Sequence, residues 1–183
     1  MSDFYFVIGA IFKNESHIIK EWIEHYKYHG CDHIYLINDH STDDFSILQP
    51  YIDDNYVTLY NDFDSPSKKI GIQAKRYNFF FQQHLPQTHW FGIFDLDEFL
   101  YSPKDINIKN ILKNNEQYNQ LSIRWMNFGS NDYIEQPNSI IHSFTRRDAF
   151  DSSISHKSII KSNKDVKFDI YKHFFKDEVS SQD

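Results

Sequence analysis

The sequence contains one cysteine, five glycines and five prolines among its 183 residues. Because Cys31 has no second cysteine to pair with, the chain forms no internal disulfide and carries neither a cysteine-based zinc site nor a redox CxxC motif. A single thiol is typical of a protein from a reducing compartment. The low content of glycine and proline favours long helices and strands over turn-rich structure.

Long apolar runs and an excess of basic residues are also missing. No apolar stretch approaches the roughly 20 residues that a membrane-spanning helix needs, so no transmembrane segment is predicted. The 19 basic and 26 acidic residues give a net charge of −7. This charge argues against nucleic acid as a partner, because nucleic-acid binders normally carry a basic stripe. The first residues lack the basic region and cleavage site of a signal peptide, so we expect a cytoplasmic protein.

The residues that are present are those of an ordinary folded domain. Hydrophobic residues make up 40% of the chain and charged residues 25%, which argues against intrinsic disorder. A chain of 183 residues is long enough to bury one substantial core and short for two catalytic domains. We therefore predict a single domain over residues 1–183.

Segments typical of strands and of helices alternate through the first hundred residues. Near-continuous apolar runs predict buried strands over 4–12, 34–37, 57–60 and 90–94. Apolar residues spaced along one helix face predict helices over 17–28, 48–52 and 72–84. The last of these is expected to end before Pro86. The alternation predicts an α/β fold with a mostly parallel sheet flanked by helices, and with ligands beyond the carboxyl ends of the strands.

The second half of the chain is less regular. A helix is predicted around 106–114, and strands are predicted over 121–125, 140–144 and 158–161. We find no internal repeat, no linker and no low-complexity block in the sequence.

Two carboxylates, Asp95 and Asp97, follow the fourth predicted strand. Separated by one residue at a strand end, they can leave the sheet on the same side and converge on one hard divalent cation. Oxygen ligands of this kind suit magnesium or manganese. An Asp-x-Asp is common by chance, and the alternative interpretation is a solvated acidic turn. The position at the end of a buried strand, before Phe99 and Leu100 that can anchor the loop, favours the metal site.

Polar residues also follow the first two predicted strands. Asp39 lies in the segment Asn38 to Asp43, where a carboxylate could face the same crevice as Asp95. The alternative is that this segment only caps a helix. Glu15 follows the first strand, and its alternative role is to stabilise the positive end of the helix that begins there.

Several segments, taken in order along the chain, resemble a known group of enzymes. They are Lys13-Asn14-Glu15, Gly30 and the stretches 21–26, 38–43, 73–78 and 90–100. With these motifs the chain resembles the glycosyltransferase family 2-like and family 92-like proteins of the GT-A fold. The likeness covers residues 4–128 and is weaker over 125–130 and 157–173. Several motifs in the expected order are more specific than any one of them.

The resemblance implies the GT-A fold and a metal-dependent transferase that uses a nucleotide-sugar donor of the UDP or GDP type. Asp97 would be the firmer ligand of Mn²⁺ or Mg²⁺ at the donor diphosphate. Asp95 would contact the ribose, or reach the metal through water. His173 matches a late histidine that completes the metal shell in such families, and its alternative role is that of an ordinary surface histidine.

The same resemblance implies the contacts to the nucleotide. Asp39 matches a residue that holds the base, and Glu15 matches one beside the base and ribose. Gln73 and Arg76 match the helix that closes over the nucleotide. Residues 1–100 would then form a nucleotide-binding half and residues 101–183 an acceptor-side half, which is shorter than is usual for GT-A enzymes.

The chemistry of such a site accounts for these residue types. A cation on the diphosphate neutralises the negative charge that develops on the leaving group. An inverting enzyme also needs a base to take the proton of the acceptor hydroxyl. Asp148 is favoured as this base, because it follows a predicted strand in the acceptor-side half. The alternatives are Glu135, His142, Asp151 and His156.

These arguments predict a glycosyltransferase of hexosyl or deoxyhexosyl type that moves a sugar from a nucleotide-diphosphate donor to a hydroxyl group of a glycan or another acceptor, with inversion. Trp125 and Phe128 are either a platform for a sugar ring or core residues. One alternative function is a non-catalytic nucleotide- or sugar-binding module of the GT-A fold, alone or within a longer protein. A second is a phosphoryl or nucleotidyl transferase, although the missing GxxxxGK[ST] motif excludes P-loop enzymes.

Overall fold

The computed structural model describes residues 4–61, 72–147, 155–162, 166–168 and 175–177. Its centre is a six-stranded sheet in the order β3-β2-β1-β4-β6-β5. The strands are β1 (Phe4–Phe12), β2 (His33–Asn38), β3 (Val57–Asn61), β4 (Thr88–Ile93), β5 (Gln120–Arg124) and β6 (His156–Lys161). A separate two-stranded sheet pairs β7 (Val166–Phe168) with β8 (Phe175–Asp177).

The predicted α/β fold with a mostly parallel sheet is confirmed. Strands β1 to β4 run parallel to one another, and β6 runs antiparallel to both β4 and β5. The order β3-β2-β1-β4 is that of a Rossmann-like fold. Every residue of β2 is buried, which explains why this strand has an apolar run rather than an alternating pattern.

The structure has a helix at each predicted helical position, with bounds that differ by a few residues, and one further helix where a strand was predicted. They are α1 (Ser16–Tyr28), α2 (Gln49–Asp53), α3 (Ile72–Phe81), α4 (Ile108–Lys113) and α5 (Ile140–Ser143). Helix α1 buries Ile18, Ile19, Trp22, Ile23 and Tyr26, as its apolar spacing predicts. Gly30 follows this helix with a φ of 89°, a conformation that favours glycine.

Two predictions of secondary structure are wrong. The segment predicted as a strand over 140–144 begins as the short helix α5, because Ser139 and the distant Glu21 both accept hydrogen bonds from its first N–H groups. Helix α3 ends at Phe81 rather than before Pro86. The chain continues as a 3-10 helix over Gln82–Gln87, whose tighter turn includes the proline.

The two faces of the sheet carry separate hydrophobic clusters. One contains Trp22, Tyr26 and Trp90, and the other contains Tyr35 and Phe81, with further aliphatic residues in each. The first cluster packs α1 against the sheet, and the second packs α3 against it. Both faces are therefore filled, and this leaves the strand ends as the places where polar groups can gather. Within the described residues, no helix has the length and apolar character needed to span a membrane.

Candidate functional site

The carboxyl ends of β1, β2 and β4 meet at one edge of the sheet, which we call the carboxyl edge. The loops that follow these strands bring Glu15, Asp39 and Asp95 to this edge. Strand β6 runs in the opposite direction, so it begins at the same edge with His156 and Lys157. The carboxyl edge thus combines residues from both halves of the chain.

The turn that carries Asp95 and Asp97 is fastened to helix α1. The indole nitrogen of Trp22 donates to the carbonyl oxygens of Asp95 and Glu98, each at 3.0 Å, and the Tyr26 hydroxyl donates to the Glu98 carbonyl at 3.0 Å. The turn closes on itself, because the Asp95 N–H donates to the Glu98 carboxylate at 2.9 Å. Leu96 is buried between the two aspartates, whereas Asp97 is exposed. The turn therefore holds the Asp97 carboxylate out of the core.

Lys157 is the residue at this edge that sequence reasoning missed. Its ammonium group lies 2.8 Å from Oδ2 of Asp95 and 3.0 Å from Oε2 of Glu98, and only 5% of its side chain is exposed. Burial lowers the pKa of Lys157, but the charges of Asp95 and Glu98 outweigh this effect and raise it overall. Lys157 is therefore a buried cation between two carboxylates.

Glu98 and Glu15 are affected by burial and by the negative charges of neighbouring carboxylates. Burial raises the pKa of Glu98 to about 7, and the charge of Asp95 adds to the rise against the attraction of Lys157. Burial also raises the pKa of Glu15, which is opposed by a hydrogen bond from the Lys13 N–H and reinforced by the charges of Asp97 and Asp95. The negative charges of Asp95 and Asp97 therefore act on Glu15, and a shared role for the three carboxylates stays a prediction.

Asp39 is held by helix α3. Its Oδ1 lies 2.9 Å from a guanidinium nitrogen of the buried Arg76 and 3.1 Å from Nδ1 of His40. Burial opposes ionisation of Asp39, but the bonds from His40 and Arg76 lower the pKa of its carboxyl overall. The structure thus pairs two residues that the resemblance placed separately at the nucleotide, and their roles there stay predictions.

Side chains of α3 also connect this pair with the other carboxylates. Gln73 is exposed and donates to the Tyr77 hydroxyl at 2.7 Å. Burial raises the pKa of Tyr77, and the charge of Asp95 adds to the rise, so Tyr77 lies within electrostatic range of Asp95. The single turn of α3 that contains Gln73, Arg76 and Tyr77 therefore extends between Asp39 and Asp95.

The loops after β1 and β2 are bound to each other through Asn14. Its Oδ1 accepts a hydrogen bond from the Thr42 N–H at 2.7 Å, and its own N–H donates to the Ser41 hydroxyl at 3.0 Å. Asn14 and His40 both have a φ of 56°, in the left-handed region. The neighbouring Asp43 accepts from the Ser16 N–H at 2.9 Å, at the start of α1. The sequence allowed this segment to cap the helix that follows it, but α2 has no side-chain hydrogen bond at its N-cap, Leu48.

Several predicted residues cannot be assigned to the carboxyl edge. Asp148, the favoured base, lies outside the described residues, as do His173 and Asp151. Among the alternatives, Glu135 and His142 are exposed in the segment between β5 and β6, and His156 is half-buried beside Lys157. The identity of the base and the histidine ligand therefore stay predictions.

The carboxylates at the carboxyl edge carry oxygen atoms of the type that hard divalent cations bind. In the part of the chain that the structure describes, no group of three or more His, Cys, Asp or Glu side chains could hold a metal ion. Mg²⁺ and similar hard cations need only one or two protein carboxylates when substrate phosphates supply further oxygens. Asp95 and Asp97 fit this second pattern, and they do not form a complete cage by themselves.

A cavity of about 420 Å³ follows β5 and is lined by Asn127, Phe128, Gly129, Arg146 and Arg147. Strand β5 is parallel to β4, so the cavity follows a strand that ends at the carboxyl edge. The ring of Phe128 is 46% exposed and is not a core residue, whereas Trp125 is half-buried with Lys157 over its ring at 5.8 Å. The cavity offers an aromatic side chain and two arginines after the end of β5.

Comparison with known proteins gives the family of the chain. The sequence profile of glycosyltransferase family 92 matches residues 2–179. The chain is also 27% identical over 119 residues to galactan beta-1,4-galactosyltransferase GALS3 of Arabidopsis thaliana, and 26% identical over 119 residues to GALS2 of the same plant. Each of these alignments covers 61% of this chain and 23% of the relative, so the chain spans about a quarter of the length of these curated relatives. On the extent of the profile match, the chain belongs to glycosyltransferase family 92.

Proposed function

We propose that this chain transfers a sugar from a nucleotide-diphosphate donor to a hydroxyl group of a glycan acceptor, with the help of a divalent cation. The observation that carries the proposal is the convergence of Glu15, Asp39, Asp95 and Asp97 at one edge of a Rossmann-like sheet. Membership of family 92 supports glycosyl transfer as the class of reaction. The GT-A fold and the likeness to family 2 are parts of the same proposal.

On the donor side, Asp97 and Asp95 would hold Mn²⁺ or Mg²⁺ against the diphosphate. When bound, such a cation neutralises the charge that develops on the leaving nucleotide. Asp39 would accept hydrogen bonds from the base of a UDP- or GDP-type donor, and the salt bridge to Arg76 keeps its carboxylate ionised and oriented. Glu15 would accept from the ribose hydroxyls, and Gln73 would close over the nucleotide from α3.

On the acceptor side, the cavity lined by Phe128 and the two arginines is the proposed place for the glycan. An exposed aromatic ring stacks well on the apolar face of a sugar. Asp148 follows Arg147 directly in the sequence and is the proposed base that takes the acceptor proton. Attack by the activated hydroxyl on the face opposite the leaving diphosphate would invert the anomeric centre. The names of the two relatives favour a hexose, with galactose as the first sugar to test.

Titration calorimetry with nucleotides tests the donor half of the proposal. We expect UDP or GDP to bind in the presence of Mn²⁺, and Asp97→Ala to weaken this binding by about 100-fold or more, because a ligand to the shared cation is lost. Asp53→Ala, which removes another aspartate far from the carboxyl edge, is the matched control. If neither nucleotide binds with Mn²⁺ and Asp97→Ala changes nothing, the proposal is wrong.

Two further measurements test catalysis and stereochemistry separately. Release of free sugar from UDP-galactose or another donor, lost in the Asp97→Ala protein, distinguishes an enzyme from a non-catalytic binding module. The anomeric configuration of the linkage product, measured by NMR, tests inversion separately, since a retained configuration would contradict that part alone.

A further inference from the structure

We propose that Lys157 is a built-in counter-cation that occupies the Asp95 carboxylate in the nucleotide-free protein, so that the carboxyl edge takes up a divalent cation together with the donor diphosphate and not before it. This inference rests on the proposed function, because it assigns the order in which that site is filled. Lys157 acts here as a positioning residue, through the carboxylates that it contacts.

Lys157 is buried and is held in place by its strand. Its side chain is 5% exposed and its ammonium contacts one oxygen each of Asp95 and Glu98, at 2.8 and 3.0 Å. Strand pairing fixes the backbone, because Lys157 is opposite Ile123 of β5 and its strand also pairs with β4. If the ammonium lost its partners, an unpaired charge would stay buried in the protein, and this is strongly unfavourable. The Oδ2 atom of Asp95 is therefore committed to Lys157 unless another group replaces the lost contact.

The positive charge of Lys157 affects the binding of a divalent cation. A divalent cation at Asp95 and Asp97 would lie beside the Lys157 ammonium, and the repulsion between these positive charges opposes binding. A bound diphosphate changes this balance, because its oxygens are acceptors for the ammonium and its negative charges attract both cations. The affinities for cation and nucleotide are then coupled, and the coupling is reciprocal by thermodynamic necessity. Typical couplings of this kind change affinity by about 5- to 150-fold.

A counter-cation and an ordinary buried salt bridge predict different results when Lys157 is replaced. If Lys157 only stabilised the fold, its replacement would change the melting temperature and leave the dependence of Mn²⁺ binding on nucleotide untouched. If Lys157 occupies Asp95 against the cation, its removal should allow Mn²⁺ to bind without nucleotide. The second result is specific to the proposal.

The experiment measures free Mn²⁺ by electron paramagnetic resonance in titrations of the full chain, with and without UDP or GDP. For the wild-type protein we expect binding at least about 10-fold tighter with nucleotide. The key variant combines Lys157→Met with Glu98→Gln. It removes the ammonium together with the carboxyl group of its more buried partner, so Glu98 is not left as a buried carboxylate without its cation. We expect this double variant to bind Mn²⁺ without nucleotide, with the coupling reduced to about 2-fold or less.

Two single variants serve as controls. Glu98→Gln keeps Lys157 on Asp95 and should retain the wild-type dependence on nucleotide. Lys161→Met removes another lysine of β6, one that lies 2.8 Å from Glu116 at the opposite end of the strand, and it should also retain that dependence. Melting temperatures are measured first, and if the double variant does not fold, Lys157→Gln with Glu98→Gln replaces it.

The outcomes distinguish this inference from the proposed function. Equal Mn²⁺ affinity with and without nucleotide in the wild-type protein, or no gain of nucleotide-free binding in the double variant, would overturn the role of Lys157. Failure of every nucleotide to bind with Mn²⁺ would overturn the proposed function. In that case the nucleotide-free titrations still decide whether Lys157 occupies Asp95, since a gain in the double variant requires no donor.

Discussion

Carboxylates at the two ends of the central sheet have opposite surroundings. At the amino end of β1 and β4, Glu116 is surrounded by hydrogen-bond donors: the Tyr5 hydroxyl, His89 Nε2, the Trp90 indole and the Lys161 ammonium. Burial opposes ionisation of Glu116, but these bonds, that of Lys161 first among them, lower its pKa to about 2. This glutamate is ionised and saturated, so it has a structural role.

At the carboxyl edge, negative groups outnumber the cations that face them. Burial and neighbouring negative charges raise the pKa values of Glu15 and Glu98, and Asp97 remains exposed. Crowded carboxylates with raised pKa values are typical of functional sites, and their charge favours a positively charged ligand. The comparison teaches that Glu116 has a complete set of donors, whereas Glu15 and Glu98 have too few to offset burial and the negative charges around them.

A substitution at the amino end should change stability, whereas one at the carboxyl edge should change nucleotide binding. This contrast is the largest effect that we predict from the comparison. Glu116→Gln should lower the free energy of unfolding by about 2 kcal/mol, because several partly exposed donors lose a charged acceptor. Nucleotide binding should be unchanged. Asp97→Ala should change unfolding by less than about 0.5 kcal/mol, since its side chain is exposed. Urea unfolding and calorimetry on both variants measure this, and a loss of nucleotide affinity in Glu116→Gln would contradict the comparison.

The pH dependence of stability sharpens the description of the amino end. The pKa of Glu116 is lowered from 4.5 to about 2 in the folded protein, so its stabilisation is present above pH 4.5 and is lost as the pH falls towards 2. The difference in unfolding free energy between wild type and Glu116→Gln should therefore shrink by about half between pH 5 and pH 3. Urea unfolding at several pH values provides the test, and a difference that stays constant with pH would refute the structural role of the ionised group.

The smallest predicted effect concerns the loops that position Glu15 and Asp39. Asn14→Ala loses the hydrogen bonds to the β2 loop and also places alanine at a φ of 56°. Asn14→Gly loses the same side-chain bonds without the conformational penalty. We expect alanine to be less stable than glycine by about 1 kcal/mol. Both variants should bind nucleotide several-fold more weakly, and equal stability of the two would mean that the left-handed conformation is not maintained.

Much of this architecture follows from local patterns in the sequence. The apolar runs of β1 and β2 and the one-sided face of α1 predict the elements, because a side chain that must avoid water imposes its own periodicity on the backbone. Parallel strands then place their ends at a common edge, and for this reason the sequence predicts that Glu15, Asp39 and Asp95 are neighbours. The prediction for His173 depended on the resemblance, and the prediction for Asp148 depended on the resemblance together with the predicted strand before it.

Other features depend on pairing between distant parts of the chain. Lys157 reaches Asp95 across 62 positions because β6 runs antiparallel to β4, and nothing in the sequence near Lys157 indicates that direction. The helical start of 140–143 depends on Glu21, which is 119 positions before Ile140. Local sequence decides which residues avoid water, but the partner of a buried charge is chosen by the whole fold. The cation that holds Asp95 could therefore be identified only from the tertiary structure.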